Sequence, residues 1–562
     1  MNTRNHLLAA AMGIALCAAS SAFAGSADTA SVSASSSPFS SIESGVKQWW
    51  NGSSGLNNWF GLGYPLADHG FSVTGEAKEA FFGGVSGGLK NQNQSNWAGE
   101  VKLRGLIDFE KLCGIESLTF ESNWRYRQIN GQNDTPSTGY AAGTIGPAGA
   151  FNPNHMSSGL GMRIMTQFFQ WQNEKGKDPR FLIKLGWVNP YQDFLQQPLS
   201  KMFQNNQIES NKGIGGATGS YTIYNANGTP KKSFGVQSVP WSSSYASWGG
   251  SLRAKPSAST YVQSGLYLAI AGYGGTQTAI YGPNDVQPYT ARNGNAVGTS
   301  KNSYYYNNHG MNFQGTAPFN PNTGSSYGQN GLYNVNEIGW TPKLGADRLE
   351  GKYAVGGYIW GQNNTDFVPA TQGSAVANSS KSARKAYGTS QNSTIMGMYF
   401  QADQRLYAVK EAAPAAPSMS KNPVDSKNPA PAAAPAVSKT RGLYSFNMFT
   451  FSDPQNCALP FYFQSGLVYK GLLDARPLDQ MGACFGAGFY SNYYNEYLDK
   501  TAVTGRPHVP HYSSTGVLEA FYCVQMNKWA TLQPFAEWIV NPAGNGTVNN
   551  DLVLGAAVKC LF

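Results

Sequence analysis

Charged side chains that could contact a polar solute occupy every second position of one short segment. Glu100, Lys102 and Arg104 alternate with the apolar Val101 and Leu103. Because successive residues of a β-strand point to opposite faces, this spacing places the charges on one face and the apolar groups on the other. A row of this kind can hydrogen-bond a solute through several charged groups, but it contains no nucleophile beside a base.

The next segment repeats the pattern. Glu121, Arg125 and Arg127 alternate with apolar residues such as Tyr126, and a tight turn is predicted around residues 111–114. Such a turn returns the chain antiparallel, so both charged faces lie on the same side of the sheet. In a soluble sandwich the apolar face is the inside, whereas in a transmembrane barrel it faces lipid and the charges line water.

The number and length of the remaining segments decide between these two folds. About sixteen strand-like segments have roughly 10 to 13 residues each, the length that crosses a membrane at a tilt. They begin near residues 71, 96, 116, 162, 180, 247, 259, 331, 350, 394, 440, 459, 481, 514, 529 and 551. The sequence therefore predicts an all-β fold, a single 16-stranded antiparallel transmembrane β-barrel with short periplasmic turns and long extracellular loops.

The connections between the segments support this topology because their lengths alternate. Odd-numbered connections are rich in Gly, Asn and Ser and mostly long, for example roughly 190–246 and 272–331, whereas even-numbered ones are mostly short, for example 526–529. Outer-membrane barrels have this arrangement of long outer loops and short periplasmic turns. The even-numbered stretch 411–439 is the exception, because its Ala, Pro and Lys residues predict an extended or disordered periplasmic insertion.

The amino-terminal residues have the features of an export signal. Arg4 precedes an apolar run that ends in a small-residue site at 22–24, so residues 1–24 are predicted to be a signal peptide. Residues 25–70 are predicted to form a periplasmic segment, Ser-rich at first and then with room for a short helix. Residues 71–562 would form the barrel, located in the bacterial outer membrane as a multi-pass protein.

Composition excludes several other classes of protein. The chain has 65 Gly, 31 Tyr and 29 Phe among its 562 residues, and only 13% of them are charged. After the signal, no uninterrupted apolar stretch reaches the roughly 18 residues that a membrane-spanning helix needs. The net charge is +9 but no run of five basic residues occurs, which argues against nucleic-acid binding. A large energised transporter would need a folded plug ahead of the first strand, for which there is no room.

Neither an enzyme nor a metal protein is predicted. No His lies in a predicted strand, and His508 and His511 alone in an outer loop would make a weak metal site. No cofactor is expected. The cysteines outside the signal form an odd set at irregular spacing, which indicates neither a metal centre nor a disulfide framework. Whether any of them form disulfides stays open, and they are Cys113, Cys457, Cys484, Cys523 and Cys560.

From about Trp59 onward the chain resembles the OprB-type carbohydrate-selective porins. The stretches that carry the resemblance, in chain order, are LADHGFSVTGEAKEAFFGGVSGG, KLGWVNPYQDFLQQPL, SYASWGGSLRAKPSASTYVQSGLY, LEGKYAVGGYIW, GMYFQADQRLY, FQSGLVYKGLLDARPLDQMGACFGAG, LEAFYCVQMNKWATLQPFAEWIVNPAGN and LVLGAAV. The resemblance implies a 16-stranded barrel that passes sugars by diffusion. The chain departs from the family in the insertion at 411–439, the Ser-rich stretch 25–41 and very long outer loops, which put the substrate range in doubt.

The inward faces of the predicted strands supply the candidate site residues. Arg104, Arg125 and Arg127 are predicted to form a constriction, with Glu121 as their acidic counterpart. The other predicted pore-lining residues are Glu76, Glu100, Lys102, Lys184, Arg253, Glu337, Asp403, Arg405, Glu519 and Glu537. Each of them could instead be a wall ion pair. Three aromatic residues are candidates either for sugar platforms or for anchors at the membrane interface, namely Tyr358, Trp360 and Tyr399.

The function predicted from these features is passive diffusion of small carbohydrates through a water-filled charged lumen. A general or anion-preferring porin is the first alternative, and a structural or adhesive barrel that displays its long loops is the second. The predicted partners are carbohydrates, outer-membrane lipids and lipopolysaccharide, and the barrel assembly machinery, which would read the terminal Phe562. A homo-oligomer and a weak cell-wall contact through 411–439 stay open.

Overall fold

The computed structural model describes most of the predicted barrel. The described residues are 47, 50–52, 55, 63–88, 94–129, 161–174, 178–209, 219–224, 230–236, 247–270, 330–364, 393–411, 436–455, 457, 459–501, 511–542, 544, 546 and 549–562. The predicted signal peptide and most residues of the outer loops lie outside these ranges. No helix within them is long and apolar enough to cross a membrane.

Sixteen strands form one antiparallel sheet. They are β1 (Phe71–Gly88), β2 (Gln94–Asp108), β3 (Leu118–Ile129), β4 (Gly161–Gln172), β5 (Phe181–Val188), β6 (Ser247–Ala254), β7 (Thr260–Ile270), β8 (Asn330–Trp340), β9 (Leu349–Asn364), β10 (Ser393–Glu411), β11 (Ala436–Ser452), β12 (Phe461–Lys470), β13 (Gln480–Phe489), β14 (Ser514–Gln525), β15 (Ala530–Val540) and β16 (Asn549–Leu561). Each strand pairs with its neighbours in sequence, and β1 also pairs with β16, which closes the barrel. The predicted 16-stranded barrel is confirmed.

Smaller elements lie in the connections. Among the described residues, the helices with defined bounds are α1 (Gly63–Asp68), α2 (Phe109–Cys113), α3 (Asn206–Glu209) and α4 (Asn492–Thr501), and short 3₁₀ turns lie at Pro190–Gln192 and Ser200–Met202. A two-residue strand, Lys343–Leu344, extends one turn, and Gly219–Tyr224 pairs with Pro230–Val236 in a separate hairpin. Where the sequence predicted a tight turn between the first two charged segments, the chain instead forms α2, which ends at Gly114 with φ 77°.

The outward side chains of the strands are mostly apolar, whereas the inward ones include charged, polar and aromatic groups. In β15 the Trp538 side chain is 53% exposed, whereas its neighbours Glu537 and Ile539 are fully buried. In β16 the outward Leu552 and Leu554 are exposed in the same way. Large apolar groups exposed in rows around a closed barrel need a hydrocarbon environment, because water would penalise them.

The end of the chain completes the closure of the barrel. The Gly75 amide donates to the Phe562 carbonyl at 2.5 Å, and the Phe562 amide donates back to the Gly75 carbonyl at 2.8 Å. A Cβ atom at position 75 would lie 2.0 Å from the Phe562 ring, so only glycine allows the ring to lie over this strand. The terminal aromatic residue therefore lies against the first strand at the seam of the barrel.

The strands β10 and β11 extend beyond the barrel wall toward the predicted insertion. Glu411 pairs with Ala436, so β11 begins before the residue 440 expected from the sequence. The Arg405 guanidinium donates to the carbonyls of Ser438 and Arg441, at 2.6 and 2.7 Å. These bonds fix the chain where it re-enters the sheet. Residues 412–435, most of the insertion, lie outside the described residues.

Candidate pore and its two walls

The connection after β5 enters the lumen instead of remaining outside. We call residues 189–209 the inner segment. It begins where Asn189 accepts a hydrogen bond from the Tyr191 amide at 3.0 Å, and Pro190 supplies the fixed φ of a first helical turn. Beyond its short turns the segment has no partner strand, so its backbone N–H groups need other acceptors.

Two inward carboxylates of β14 and β15 supply part of those acceptors. The Glu519 side chain accepts the amides of Gln204 and Asn205, at 2.7 and 2.9 Å. Glu537 accepts the Asn205 side-chain amide at 2.9 Å. Both glutamates are fully buried, and they lie directly opposite each other on neighbouring strands. They are therefore enclosed beneath the inner segment, which they hold in place.

A third carboxylate, Glu337 of β8, accepts four hydrogen bonds. It accepts the hydroxyls of Tyr261 and Tyr399, at 2.7 and 2.5 Å. It also accepts the Gln263 side chain at 2.9 Å and the Leu195 amide of the inner segment at 3.0 Å. Because Glu337 is buried and all four donors come from the protein, it ties the segment to the wall of β7, β8 and β10.

Further contacts complete the attachment of the inner segment. Gln197 donates to the carboxylate of Asp403 at 2.9 Å, and Lys184 of β5 forms an ion pair with Asp193 of the segment. The Phe203 ring packs against the rings of two inward residues, Phe446 and Phe521, with centroids 5.6 and 5.0 Å apart. The wall from β5 to β15 is thus covered, and we call it the covered wall.

The opposite side, formed by β16 and β1–β3, keeps charged groups in contact with the lumen. We call it the open wall. Arg104 donates to Glu121 at 2.5 Å, and its side chain is 53% exposed. Lys102 lies 3.3 Å from Glu76, and Lys559 of β16 lies 3.8 Å from the same carboxylate. Each of these groups keeps hydrogen-bonding capacity for a solute because none is enclosed.

Two of the predicted constriction arginines occupy a different position. The side chains of Arg125 and Arg127 are each 2% exposed. Arg127 donates to Glu100, and the Arg125 Nε lies 3.9 Å from the same carboxylate. Both side chains are therefore enclosed within the open wall. Of the three arginines that the sequence selected, the structure exposes Arg104 alone.

The inner segment presents charges of both signs to the open wall. Lys201 is exposed, and its ammonium donates to the Gln196 side chain at 2.6 Å and lies 5.2 Å from the Tyr191 ring. Reduced access to bulk water lowers the pKa of Lys201 from its ordinary value, although the nearby Glu209 carboxylate opposes this shift. Glu209 also lies within electrostatic range of Lys102 on the other side. The passage is therefore bounded by mixed charges.

Comparison with known proteins now identifies the family. The family model described as "Carbohydrate-selective porin, OprB family" matches residues 92–562. The chain belongs to this family. Porin B of Pseudomonas aeruginosa is 26% identical over 264 residues, which cover 44% of this chain and 50% of that relative. This alignment spans only half the length of Porin B.

A solved structure shares the fold of this OprB-family chain. The high-pH structure of Pseudomonas putida OprB matches with a TM-score of 0.63 at 18% sequence identity. The match covers 91% of this chain and 99% of that one. Family membership and the closed 16-stranded barrel together place the protein in the bacterial outer membrane as a β-barrel.

The remaining predicted site residues of this OprB-family barrel lie on the covered wall or at its rim. The Arg253 guanidinium lies 4.7 Å from the Tyr261 ring, and Arg405 holds the start of β11. Tyr358 is buried inside the barrel and shares a hydrogen bond of 2.7 Å with Ser452. The side chain of Trp360 lies outside the described residues.

The inner segment is the functional element that sequence analysis missed. The sequence predicts the beginning of a long outer loop for this stretch of the chain. The sequence did contain a signal, since several large apolar residues interrupt the polar composition of this stretch. They are Phe194, Leu195, Leu199, Phe203 and Ile208, and all of them are buried. A loop with this many apolar residues has to pack against something, and the lumen is the nearest surface.

Proposed function

We propose that this protein is an outer-membrane porin through which small carbohydrates diffuse passively. The observation that carries the proposal is the exposed Arg104–Glu121 pair, which lies with Lys102 and Glu76 on the open wall of a family member. Across the passage the inner segment presents Lys201. Donors and acceptors are thus available together along one wet path.

This arrangement suits a neutral polyol. A sugar hydroxyl both donates and accepts hydrogen bonds, so it needs carboxylate acceptors beside guanidinium or ammonium donors to replace part of its hydration. Because the Arg104 and Glu121 groups also pair with each other, neither is left as a strong isolated charge that would retain a solute. The open wall and the inner segment each carry charges of both signs, so the passage has little net preference for one ion.

Passage changes no covalent bond, and we propose a channel rather than an enzyme. The match to a porin family over residues 92–562 supports this proposal. Buried acidic residues such as Glu337 and Glu519 accept hydrogen bonds from the inner segment.

Other partners follow from the outer face and the seam. The exposed apolar rows, which include Leu266 and Trp538, are proposed to contact outer-membrane lipids and lipopolysaccharide. Phe562 at the seam is proposed to be read by the barrel assembly machinery. A homo-oligomer and a cell-wall contact through the insertion stay open alternatives.

Liposome swelling tests the proposed function. Purified full-length protein in vesicles is expected to admit glucose faster than a neutral amino acid of similar size. Equal rates for the two solutes would contradict carbohydrate selectivity and favour a general porin, while a strong anion preference in bilayer reversal potentials would favour the anion-preferring alternative. A protein that inserts without measurable conductance would support the structural barrel instead.

A further inference from the structure

A cavity of about 380 Å³, with several charged and amide side chains in its lining, lies between the inner segment and the strands β4–β9. Its lining includes Gln170 near the end of β4, Arg253 near the end of β6 and Thr341 just after β8. These strand ends lead into short even-numbered turns, so the cavity lies toward the end of the barrel that is predicted to face the periplasm. Its volume is at the lower end of the range for small-molecule sites, which suits one sugar ring. None of the exposed groups of the open wall lines it.

Two carboxylates line this cavity, those of Glu337 and Asp193, and both accept hydrogen bonds from the protein. Glu337 accepts four hydrogen bonds from the protein. Asp193 forms an ion pair with Lys184 and accepts the Ser251 hydroxyl at 2.9 Å. Both acidic side chains of the lining therefore already have donors from the protein.

Two cationic side chains of the lining, in contrast, keep N–H groups that no acceptor among the described residues uses. Within the described part of the chain, Arg253 has neither an ion pair nor a hydrogen-bond partner, and its buried Nε is unsatisfied. Its guanidinium lies 4.7 Å from the Tyr261 ring. Lys352 donates one hydrogen to the Gln196 carbonyl at 2.9 Å, which leaves two N–H bonds available. Both cations line the same cavity, together with the amide side chain of Gln192.

We propose that this cavity is a binding subsite for an anionic sugar, a monosaccharide that carries a carboxylate or a phosphate. Its anionic oxygens would accept hydrogen bonds from Arg253 and Lys352, and its hydroxyls would contact Gln170 and Gln192. A charge-assisted bond of this kind supplies the counter-ion that Arg253 lacks. The proposal rests on the proposed function, since it adds a second subsite to a carbohydrate pathway.

Calorimetric titration of the full chain in detergent tests the subsite. Glucuronate, glucose 6-phosphate and glucose are each titrated in turn. Comparison of the first two shows whether the subsite prefers a carboxylate or a phosphate, and glucose is the neutral reference. At least one of the anionic sugars is expected to bind about tenfold tighter than glucose. Arg253→Gln is expected to weaken that binding about tenfold, and Arg253→Lys, which keeps the charge but not the planar fork, is expected to retain part of it.

Lys470→Gln is the matched control. Lys470 is another inward cation that lies over a tyrosine ring, 5.1 Å from that of Tyr444, but it does not line the cavity. This variant is expected to bind the anionic sugars as the wild type does. An equal loss in Lys470→Gln and Arg253→Gln would overturn the proposal, since it would show a general effect of lumen charge.

Equal affinity of the wild type for anionic and neutral sugars would also overturn the subsite, whatever the swelling assay shows. Loss of glucose selectivity in swelling, with Arg253-dependent glucuronate binding intact, would contradict the proposed function and leave the subsite standing. If Arg253→Gln does not fold, as judged by its heat-modifiable migration, Lys352→Gln removes the second cation and makes the same test. Unchanged anion affinity in the folded variant would refute the subsite.

Discussion

The open wall and the covered wall are built from the same residue types in the same alternating pattern, yet they use them differently. On the open wall Arg104 pairs with Glu121 and is 53% exposed. On the covered wall Glu519 is fully buried and accepts two backbone amides of the inner segment. Alternation thus determines which face of the sheet a charged residue occupies, but a distant segment determines whether that face is wet.

The energetic consequences differ accordingly. A buried carboxylate pairs with backbone N–H groups that would otherwise be buried without an acceptor. Its removal therefore destabilises the segment that carries those N–H groups. An exposed ion pair contributes little to stability because water competes for both partners. Changes on the covered wall should therefore alter the shape of the lumen, whereas changes on the open wall should alter only how a solute is bound within it.

The largest effect is expected for Glu519→Ala. The variant loses two charge-assisted hydrogen bonds to the inner segment, worth about 1.5–3 kcal/mol each, which is comparable to the free energy of local opening. The segment should detach from β14, so single-channel conductance should rise and sucrose should enter liposomes that exclude it with the wild type.

Glu121→Ala is the control on the open wall, where no segment depends on the carboxylate. It should leave sucrose exclusion intact. If Glu519→Ala has wild-type conductance and still excludes sucrose, the distinction between the two walls does not hold.

A smaller effect is expected for Arg104→Ala. The loss of one donor to a passing sugar should cost about 1 kcal/mol, or roughly a fivefold slower glucose flux, with little change in stability. The ratio of glucose to amino-acid swelling rates should fall toward one. Arg104→Lys keeps the charge without the planar guanidinium, so its glucose flux should lie between those of the wild type and Arg104→Ala. An unchanged ratio in Arg104→Ala would show that selectivity arises elsewhere in the lumen.

The strands and their faces could be predicted because the information is local. The alternation around Lys102 predicted β2 to begin near residue 96, and it begins at Gln94. The attachment of the inner segment could not be predicted in this way, because the Glu519 carboxylate and the Gln204 amide lie far apart in sequence and no period links them. The signal peptide and the outer loops stay predictions.

The smallest effect on permeation is expected for a carboxylate that is enclosed but lies at a turn, away from the inner segment. Asp479 accepts two hydrogen bonds from the Arg476 guanidinium, at 2.6 and 2.9 Å. It also accepts the Tyr522 hydroxyl and the Gln525 amide, both at 2.9 Å. The bonds from Arg476 lower the pKa of Asp479 below its ordinary value of 3.8.

The direction of this shift determines the pH dependence. A carboxylate whose pKa is lower in the folded state stabilises the fold above its ordinary pKa, and this contribution is lost as the pH falls through the lowered value. Asp479→Asn should therefore reduce the free energy of unfolding by about 1 kcal/mol at pH 7, and the difference from the wild type should disappear in strong acid. Urea unfolding in lipid vesicles at both pH values measures this.

Glucose selectivity should not change in Asp479→Asn, because Asp479 holds β13 to β14 and contacts no part of the inner segment in the described structure. A change in selectivity would mean that a buried carboxylate influences permeation even when it does not contact the inner segment.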